Sequence, residues 1–195
     1  EDESRKKEYM NAVLRRFEHP KEGDCVPSIS TELKTFYCAF WGVPMENFRE
    51  INNEYNQLIL NLEEELSTSV KYAQDPLKEA LLYARTGNYI DFAALPDVSK
   101  EKALSLIKKE NKDPLDEAEY QAFCQDMKKA RTFVYITDNC GEIVLDKIAI
   151  QILKKRFPNV RITVLVRGLP AGNDATMEDA QMCGLTDIVP VMGNG

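Results

Sequence analysis

The sequence predicts an α/β protein in which a helical N-terminal part packs on a Rossmann-like α/β/α sheet that is mostly parallel. Two observations carry this prediction. Helical periodicity dominates up to about residue 130, whereas continuous apolar runs alternate with amphipathic stretches after it. Strand, helix, strand, helix, strand is the order that builds a parallel sheet. We therefore expect a helical region over 1–130 and a Rossmann-like region over 131–195.

The helical region is divided by recognisable start and stop signals. His19-Pro20 ends the first helix, Gly42 ends the second, and Asp75-Pro76 supplies an N-cap with proline at the first helical position. The expected helices cover residues 3–17, 30–42, 44–70, 75–92, 98–112 and 115–130.

The second region is expected to hold three strands, at 132–137, 160–167 and 187–192, joined by helices at 142–157 and 176–184. The run "TFVYIT" is apolar throughout, which is typical of a strand covered on both faces. Three strands are few for such a sheet, and the chain starts without methionine and stops just after a strand. We expect a sheet that is incomplete in this chain, truncated at both ends.

Composition narrows the function classes. A net charge of −7 and a pI near 4.9 disfavour nucleic acid as a partner. No apolar run is long enough for a membrane span and no signal-peptide pattern is visible, so no membrane partner and a cytoplasmic location are expected. Five cysteines without Cys-x-x-Cys spacing indicate reduced thiols. The single histidine, His19, excludes a His-based triad, so catalysis must rely on carboxylates, amides and a hard metal.

Polar side chains follow two neighbouring strands of the predicted sheet. Asp138-Asn139 follows the first strand and Asn173-Asp174 follows the second, so both pairs should meet at the carboxyl edge where open α/β sheets bind ligands. These hard oxygen donors suit Mg²⁺ or Mn²⁺. Gly141 and the amides that open helix 142–157 would seat phosphate oxygens. The same residues also suit helix caps and a turn, and the residues alone leave both interpretations open.

The stretches "DNCGEIVLDK" and "GLPAGNDATMEDA" resemble the metal-dependent damage-control phosphatases, long labelled as a domain of unknown function. That family includes protein-glutamate methyltransferase-like proteins and the phosphatase domain appended to a pantothenate kinase. Its pattern is Asp-Asn-(small)-Gly-Glu after one strand and Gly-x-Pro-x-x-Asn-Asp-x-Thr after the next. The stretch "DPLKEALLYARTGNYIDF" resembles the upstream segment of the prokaryotic-type subfamily, which brings the resemblance to roughly residues 75–185.

The resemblance implies that Asp138, Asn139 and Asp174 carry catalysis and coordinate the metal, which would be manganese, nickel, cobalt or magnesium. Residues implied to bind substrate or to support the site are Asn88, Asp91, Gly141, Glu142, Arg167 and Asn173. For some of these a structural role stays open: a helix-end cap and turn for Asn88 and Asp91, a first-turn acid for Glu142, and an exposed strand-end arginine for Arg167. Cys140 is interpreted as packing rather than as a nucleophile, because no base is at hand to activate its thiol.

Two departures from the family pattern bear on activity. A Cys-x-x-Cys near the N-terminus is absent, and so is the later Lys-Gly-x-Gly-Asn-like segment. The fragment is therefore expected to lack part of the catalytic machinery.

The function implied is hydrolysis of small phosphomonoesters, such as sugar phosphates or damaged phosphometabolites, by a metal-activated water that attacks phosphorus. A phospho-aspartate on Asp138 remains an alternative route. One rival class is an S-adenosylmethionine- or nucleotide-dependent transferase, which the single glycine of "DNCGE" and the strand end "VRG" disfavour. Another is a non-catalytic helical interaction module. The sequence sets no oligomeric state.

Overall fold

The computed structural model describes residues 3–45, 47–89, 100–110 and 114–194. Its contacts divide the chain into two units, Glu1–Asn47 and Phe48–Gly195. The predicted boundary near residue 130 concerns secondary-structure content and is not tested by this division, so it stays a prediction. No helix in the described ranges is both long enough and apolar enough to cross a lipid bilayer.

The first unit contains α1 (Glu3–Glu18) and α2 (Val26–Trp41). Aromatic rings hold these two helices together: the ring of Tyr9 stacks on Phe36 with centroids 5.4 Å apart and meets Phe40 at 5.5 Å. An ion pair between Arg16 and Asp24 fixes the loop that follows α1. Gly42 ends α2 in the left-handed conformation with φ of 69°, as the glycine stop signal predicts.

Within the ranges that the structure describes, the second unit begins with five helices: α3 (Phe48–Leu60), α4 (Glu63–Tyr72), α5 (Pro76–Tyr89), α6 (Lys100–Glu110) and α7 (Glu117–Lys129). The single helix predicted over 44–70 is therefore two helices. A tight turn formed by the Leu62 amide and the Ile59 carbonyl, 2.9 Å apart, separates them. The predicted cap of α5 is present, because Oδ1 of Asp75 accepts hydrogen bonds from the amides of Leu77 and Lys78 at 3.1 and 3.3 Å.

The remainder forms a three-stranded parallel sheet in the order β1-β2-β3, with strands β1 (Thr132–Ile136), β2 (Arg161–Arg167) and β3 (Val191–Asn194). Helix α8 (Glu142–Arg156) connects the first pair and α9 (Met177–Met182) lies between the second pair. The α/β fold class is confirmed. The third strand starts later than predicted, because Gly184 adopts φ of 72° and Leu185–Asp187 form a 3-10 turn.

One face of β1 is less covered than the apolar run predicts. Phe133 and Tyr135 lie on the packed face, whereas Val134 and Ile136 are 52% and 73% exposed in the part of the chain described here. The prediction of a strand covered on both faces is wrong for these residues. Continuous apolar sequence marks a strand but does not by itself show what covers each face.

Helix α8 lies at the centre of the second unit, and residues 142–150 of it are all buried. Helix α5 packs along it at close range. A Cβ atom at Gly87 would lie 2.9 Å from Cδ1 of Leu145 and 3.1 Å from Cγ of Glu142. Glycine therefore lets α5 approach the first turns of α8, and that approach brings the next residue, Asn88, to the end of β1.

Candidate active site

The two polar loops predicted to meet are joined by backbone hydrogen bonds. Asn139 and Asp174 form an antiparallel bridge. The amide of Cys140 donates to the carbonyl of Asn173 at 2.8 Å, and the amide of Ala175 donates to the carbonyl of Asp138 at 2.7 Å. The loop after β1 and the loop after β2 are thus fixed against each other at the carboxyl edge of the sheet. Main-chain bonds of this kind hold polar side chains in place without using their own hydrogen-bonding groups.

Asn88 reaches this edge from α5 and contacts two carboxylates. Its Nδ2 atom donates to Oδ2 of Asp138 at 2.8 Å and to Oε2 of Glu142 at 3.3 Å. The same Glu142 oxygen accepts from the backbone amide and from the side-chain amide of Asn139 at 3.3 and 3.2 Å. Glu142 therefore supports both Asn88 and Asn139, which is more than the first-turn acid of a helix would do.

Burial raises the pKa of two acids behind the loop. The carboxyl of Glu142 is buried, which raises its pKa, and the charge of Asp138 adds to this while the hydrogen bonds from Asn139 and Asn88 oppose it. Burial raises the pKa of Asp146 well above its usual range, and the charge of Glu142 acts in the same direction. The hydroxyl of Tyr135 donates to Oδ1 of Asp146 at 2.6 Å. The protonated forms of Glu142 and Asp146, both in the first turns of α8, are therefore favoured by their burial.

Asp174 is held by an arginine from the neighbouring strand end. Nε and Nη2 of Arg167 each lie 2.6 Å from Oδ2 of Asp174. The structure therefore pairs Arg167, at the end of β2, with a carboxylate within the chain. Its predicted contact with a phosphate is neither shown nor excluded by this pairing and stays a prediction.

Gly141 opens α8 with φ of 81°, a conformation that favours glycine. Its amide donates to Oδ1 of the fully buried Asn56 at 2.7 Å. The amides of residues 139, 140, 143 and 144 also have protein acceptors. The geometry supports a role for Gly141 in shaping the turn. The seat for phosphate oxygens at the amides that open α8 stays a prediction.

Asn56 on α3 is a site residue that the sequence analysis missed. Its Nδ2 atom donates to Oδ1 of Asp179 at 2.8 Å, and Oδ2 of Asp179 accepts from the amide and hydroxyl of Thr176 at 2.8 and 2.6 Å. One carboxamide thus links the start of α8 to the cap of α9. One signal in the sequence could have pointed to Asn56, because it falls among the apolar positions of α3. An asparagine at such a position is buried, and a buried polar side chain requires hydrogen-bond partners.

Cys140 is buried in the structure, as its predicted packing role requires. Cys140 is 1% exposed and burial raises the pKa of its thiol, both of which support packing over nucleophilic attack. Asp91 lies outside the described residues, so the contact predicted for it is not tested.

Comparison with known proteins identifies the family. A family model described as the damage-control phosphatase ARMT1-like domain matches residues 2–188. The chain belongs to the damage-control phosphatase ARMT1-like family. The family predicted from the two motifs is confirmed.

Three curated proteins are similar in sequence to this damage-control phosphatase family member. The chain is 30% identical over 155 residues to an uncharacterized protein of Methanocaldococcus jannaschii, covering 78% of this chain and 49% of that protein. It is 29% identical over 137 residues to a damage-control phosphatase of Archaeoglobus fulgidus, and the match covers 70% of this chain and 45% of that protein. It is 32% identical over 116 residues to a damage-control phosphatase of Pyrococcus horikoshii, and the match covers 60% of this chain and 39% of that protein. The chain spans about half or less of the length of these relatives.

A solved structure supports the fold. The crystal structure of a DUF89 family protein from Pyrococcus horikoshii superimposes with a TM-score of 0.74 at 24% identity, covering 100% of this chain and 66% of that one. At this identity the likeness concerns the fold.

The donor set of the two loops fits the metal that the damage-control phosphatase family implies. Asp138, Asn139 and Asp174 offer two carboxylates and one carboxamide, all hard oxygen donors, on loops that are bonded to each other. Within the described ranges no group of three or more histidine, cysteine, aspartate or glutamate side chains is arranged to hold a metal ion. A site of two acids and one amide does not require such a group, so the metal role of these residues stays a prediction.

Proposed function

We propose that the protein hydrolyses small phosphomonoesters in a metal-dependent reaction. The observation that supports this most directly is the pairing of Asn139 with Asp174, because it brings together the two loops that carry all three proposed metal ligands. Membership of the damage-control phosphatase family supports the same reaction class. Two relatives bear the name damage-control phosphatase, and we extend that activity to this chain as part of the proposal.

Asp138, Asn139 and Asp174 would hold the divalent cation, for which manganese, nickel, cobalt and magnesium are the candidates. A bound cation of this kind neutralises charge on a phosphoryl group and lowers the pKa of water. The bond from phosphorus to the leaving oxygen breaks as the oxygen of water bonds to phosphorus. The leaving oxygen takes up a proton, so that the products are an alcohol and inorganic phosphate.

The protein's own side chains would prepare the site in separate ways. Asn88 shares its amide between Asp138 and Glu142, which fixes the Asp138 carboxylate. Glu142 in turn holds the carboxamide of Asn139 and so sets the direction of its oxygen. Arg167 holds Asp174 and offsets its negative charge. Rigid placement of donors in advance of binding is what such a site requires.

The substrates proposed are small phosphorylated metabolites, including sugar phosphates and damaged phosphometabolites, and the setting proposed is the cytoplasm. Nucleic acid is not proposed as a partner, because a net charge of −7 disfavours binding along an extended polyanion. No membrane partner is proposed either.

The test is a phosphate-release assay of the full-length protein on a panel of phosphomonoesters, with each of the four metals and with a chelator. We expect release that depends on metal and falls at least about 100-fold in Asp138→Asn. The matched control is Asp187→Asn, which changes an exposed carboxylate at the end of the 3-10 turn. Equal rates with metal and with chelator, or an Asp138→Asn variant as active as the parent, would contradict the proposal.

A further inference from the structure

Helix α3 carries two buried asparagines, Asn52 and Asn56, on one of its faces. A buried carboxamide lowers stability unless its hydrogen bonds are made within the protein. The partners of these two side chains lie in the loops after β1 and β2, which carry the proposed metal ligands, and at the start of α9. Helix α3 is therefore bonded to both halves of the candidate site.

Asn56 bonds directly to the loop after β1 and, through Asp179, to the loop after β2. Its Oδ1 atom accepts a hydrogen bond from the amide of Gly141 at 2.7 Å, two positions after Asn139. Its Nδ2 atom donates to Oδ1 of Asp179 at 2.8 Å, and Oδ2 of Asp179 accepts from the amide and hydroxyl of Thr176. This link spans the two loops by a route separate from the main-chain bonds between them.

Asp174 lies between two points that α3 holds. Asn52 donates to the carbonyl of Gly172, two positions before Asp174, at 3.1 Å. The link from Asn56 ends at Thr176, two positions after Asp174. A change in either contact would therefore move the backbone that places the Asp174 carboxylate.

The contact of Asn52 is made at a cost to stability. Asn52 is 8% exposed, and its Oδ1 atom has no hydrogen-bond partner in the part of the chain described. A buried acceptor without a partner is destabilising, and an apolar side chain of similar shape can replace such a group at little or no cost. Stability alone does not account for an asparagine at this position, whereas placement of the Gly172 loop does.

We propose that Asn52, Asn56 and Asp179 are positioning residues that set the separation of the two loops and hence the affinity of the site for its divalent cation. The inference rests on the proposed function, since it takes these loops as the place where the cation binds. Asn52 and Asn56 lie outside the two loop motifs. Residues that hold metal ligands through hydrogen bonds typically change metal affinity by about 10–100-fold when they are replaced.

The test exchanges the two members of the buried pair. Asn56→Asp places a second carboxylate against Asp179, and Asp179→Asn leaves the pair one acceptor short, so each single variant breaks the link. The double variant Asn56→Asp, Asp179→Asn restores it. The carboxylate at position 56 can accept from the Gly141 amide and from the carboxamide at position 179, whose oxygen can accept from Thr176. Mn²⁺ binding to these full-length variants and to the parent is measured by electron paramagnetic resonance.

The expected pattern differs from the one that charge alone produces. We expect each single variant to bind Mn²⁺ about tenfold more weakly than the parent, and the double variant to bind it within about threefold of the parent. Charge alone would strengthen binding in Asn56→Asp, which adds a carboxylate, and weaken it in Asp179→Asn, which removes one. The direction of the change in Asn56→Asp therefore separates placement of the loops from attraction of the cation.

Three further variants separate positioning from stability and apply even if a variant of the buried pair fails to fold. Asn52→Leu removes the unpartnered oxygen together with the donor, so the free energy of unfolding should stay or rise while Mn²⁺ binding weakens by about threefold or more. Leu77→Ala, at a fully buried position at the start of α5, should lower the free energy of unfolding and leave Mn²⁺ affinity unchanged. Asn61→Ala, at an exposed position just after α3, should change neither.

The outcomes separate this inference from the function on which it rests. Equal Mn²⁺ affinity in the parent, in Asn52→Leu and in the single variants of the pair overturns the inference and leaves the proposed function standing. Tighter binding by Asn56→Asp, or a folded double variant as weak as the single ones, also overturns it. A parent that binds no Mn²⁺ contradicts the proposed function and the inference together. A parent whose Mn²⁺ binding follows the expected pattern but which releases no phosphate supports the inference and contradicts the phosphatase proposal.

Discussion

The side-chain amide of Asn88 lies 2.8 Å from Oδ2 of Asp138, although 50 positions separate the two residues. The end of α5 is thereby bonded to the loop that follows β1. The helices that precede the sheet consequently supply a side chain to the candidate site and do more than cover its core.

Replacing Asn88 removes the donor that two carboxylates share. In Asn88→Ala, we expect kcat/KM for phosphate release to fall by about tenfold or more, since a hydrogen bond to a charged group is worth roughly 1.5–3 kcal/mol. Apparent affinity for the activating metal should fall with it. Steady-state kinetics over a metal titration measures both, with Asn61→Ala as the control. Unchanged kinetics would show that the Asp138 carboxylate needs no support from α5.

Gly87 is expected to be intolerant of a side chain. Alanine is favoured over glycine in a helix by about 1 kcal/mol, but its Cβ would lie 2.9 Å from Leu145 and 3.1 Å from Glu142. Overpacking of this kind costs about 1–3 kcal/mol, so Gly87→Ala should lower the free energy of unfolding and Gly87→Ser should lower it further. Urea denaturation measures this. An alanine variant more stable than the parent would mean that α5 and α8 can separate freely.

Asn56→Ala is expected to destabilise the protein by about 2–4 kcal/mol. The substitution leaves the Gly141 amide without its acceptor and the buried Asp179 carboxylate without one of its donors. Gln57→Ala, on the exposed side of the same helix, is the matched control and should change the free energy of unfolding by less than about 0.5 kcal/mol. Equal urea midpoints for the two variants would show that the hydrogen bonds of Asn56 do not stabilise the fold.

Asp146 should make stability depend on pH. Its pKa is raised in the folded protein by burial and by the charges of Glu142 and Asp138, so the folded state holds a proton that the unfolded state releases. Stability contributed by the protonated form is therefore lost as pH rises from the ordinary range of an aspartate, near 3.8, towards the raised pKa. The raised pKa of Glu142 acts in the same direction.

The variant Asp146→Asn removes the titrating group and keeps an acceptor for the Tyr135 hydroxyl. We expect the decline of stability with rising pH to be shallower in this variant than in the parent. Urea unfolding at a series of pH values from about 4 to 8 measures the slope. Parallel curves for the two proteins would show that Asp146 is ionised in the folded state.

The sequence was sufficient for features that depend on local pattern. Asp138-Asn139 and Asn173-Asp174 each follow an apolar run, and parallel strands bring such positions to one edge, where the structure joins Asn139 to Asp174. Asp75 and Gly42 acted as the cap and stop that their residue types favour. These features were predictable because the residues that cause them are neighbours in the chain.

Features that depend on contacts between separate segments of the chain could not be predicted from the sequence. Nothing near Asn52 or Asn56 in the sequence marks their partners, which lie 120 and 123 positions away at Gly172 and Asp179. The pairing of Arg167 with Asp174 was missed because seven positions of loop separate them. Exposure of Ile136 was missed because an apolar run does not state which elements cover it.

We propose that the two bonded loops hold one divalent cation. Binding of Mn²⁺ followed by electron paramagnetic resonance tests it most directly, with the full-length parent compared to the double variant Asp138→Asn, Asp174→Asn. We expect one bound ion per parent chain and at least about 100-fold weaker binding in the double variant, whose fold should be retained because the main-chain bonds between the loops remain. Equal Mn²⁺ affinity in the two proteins would contradict the account.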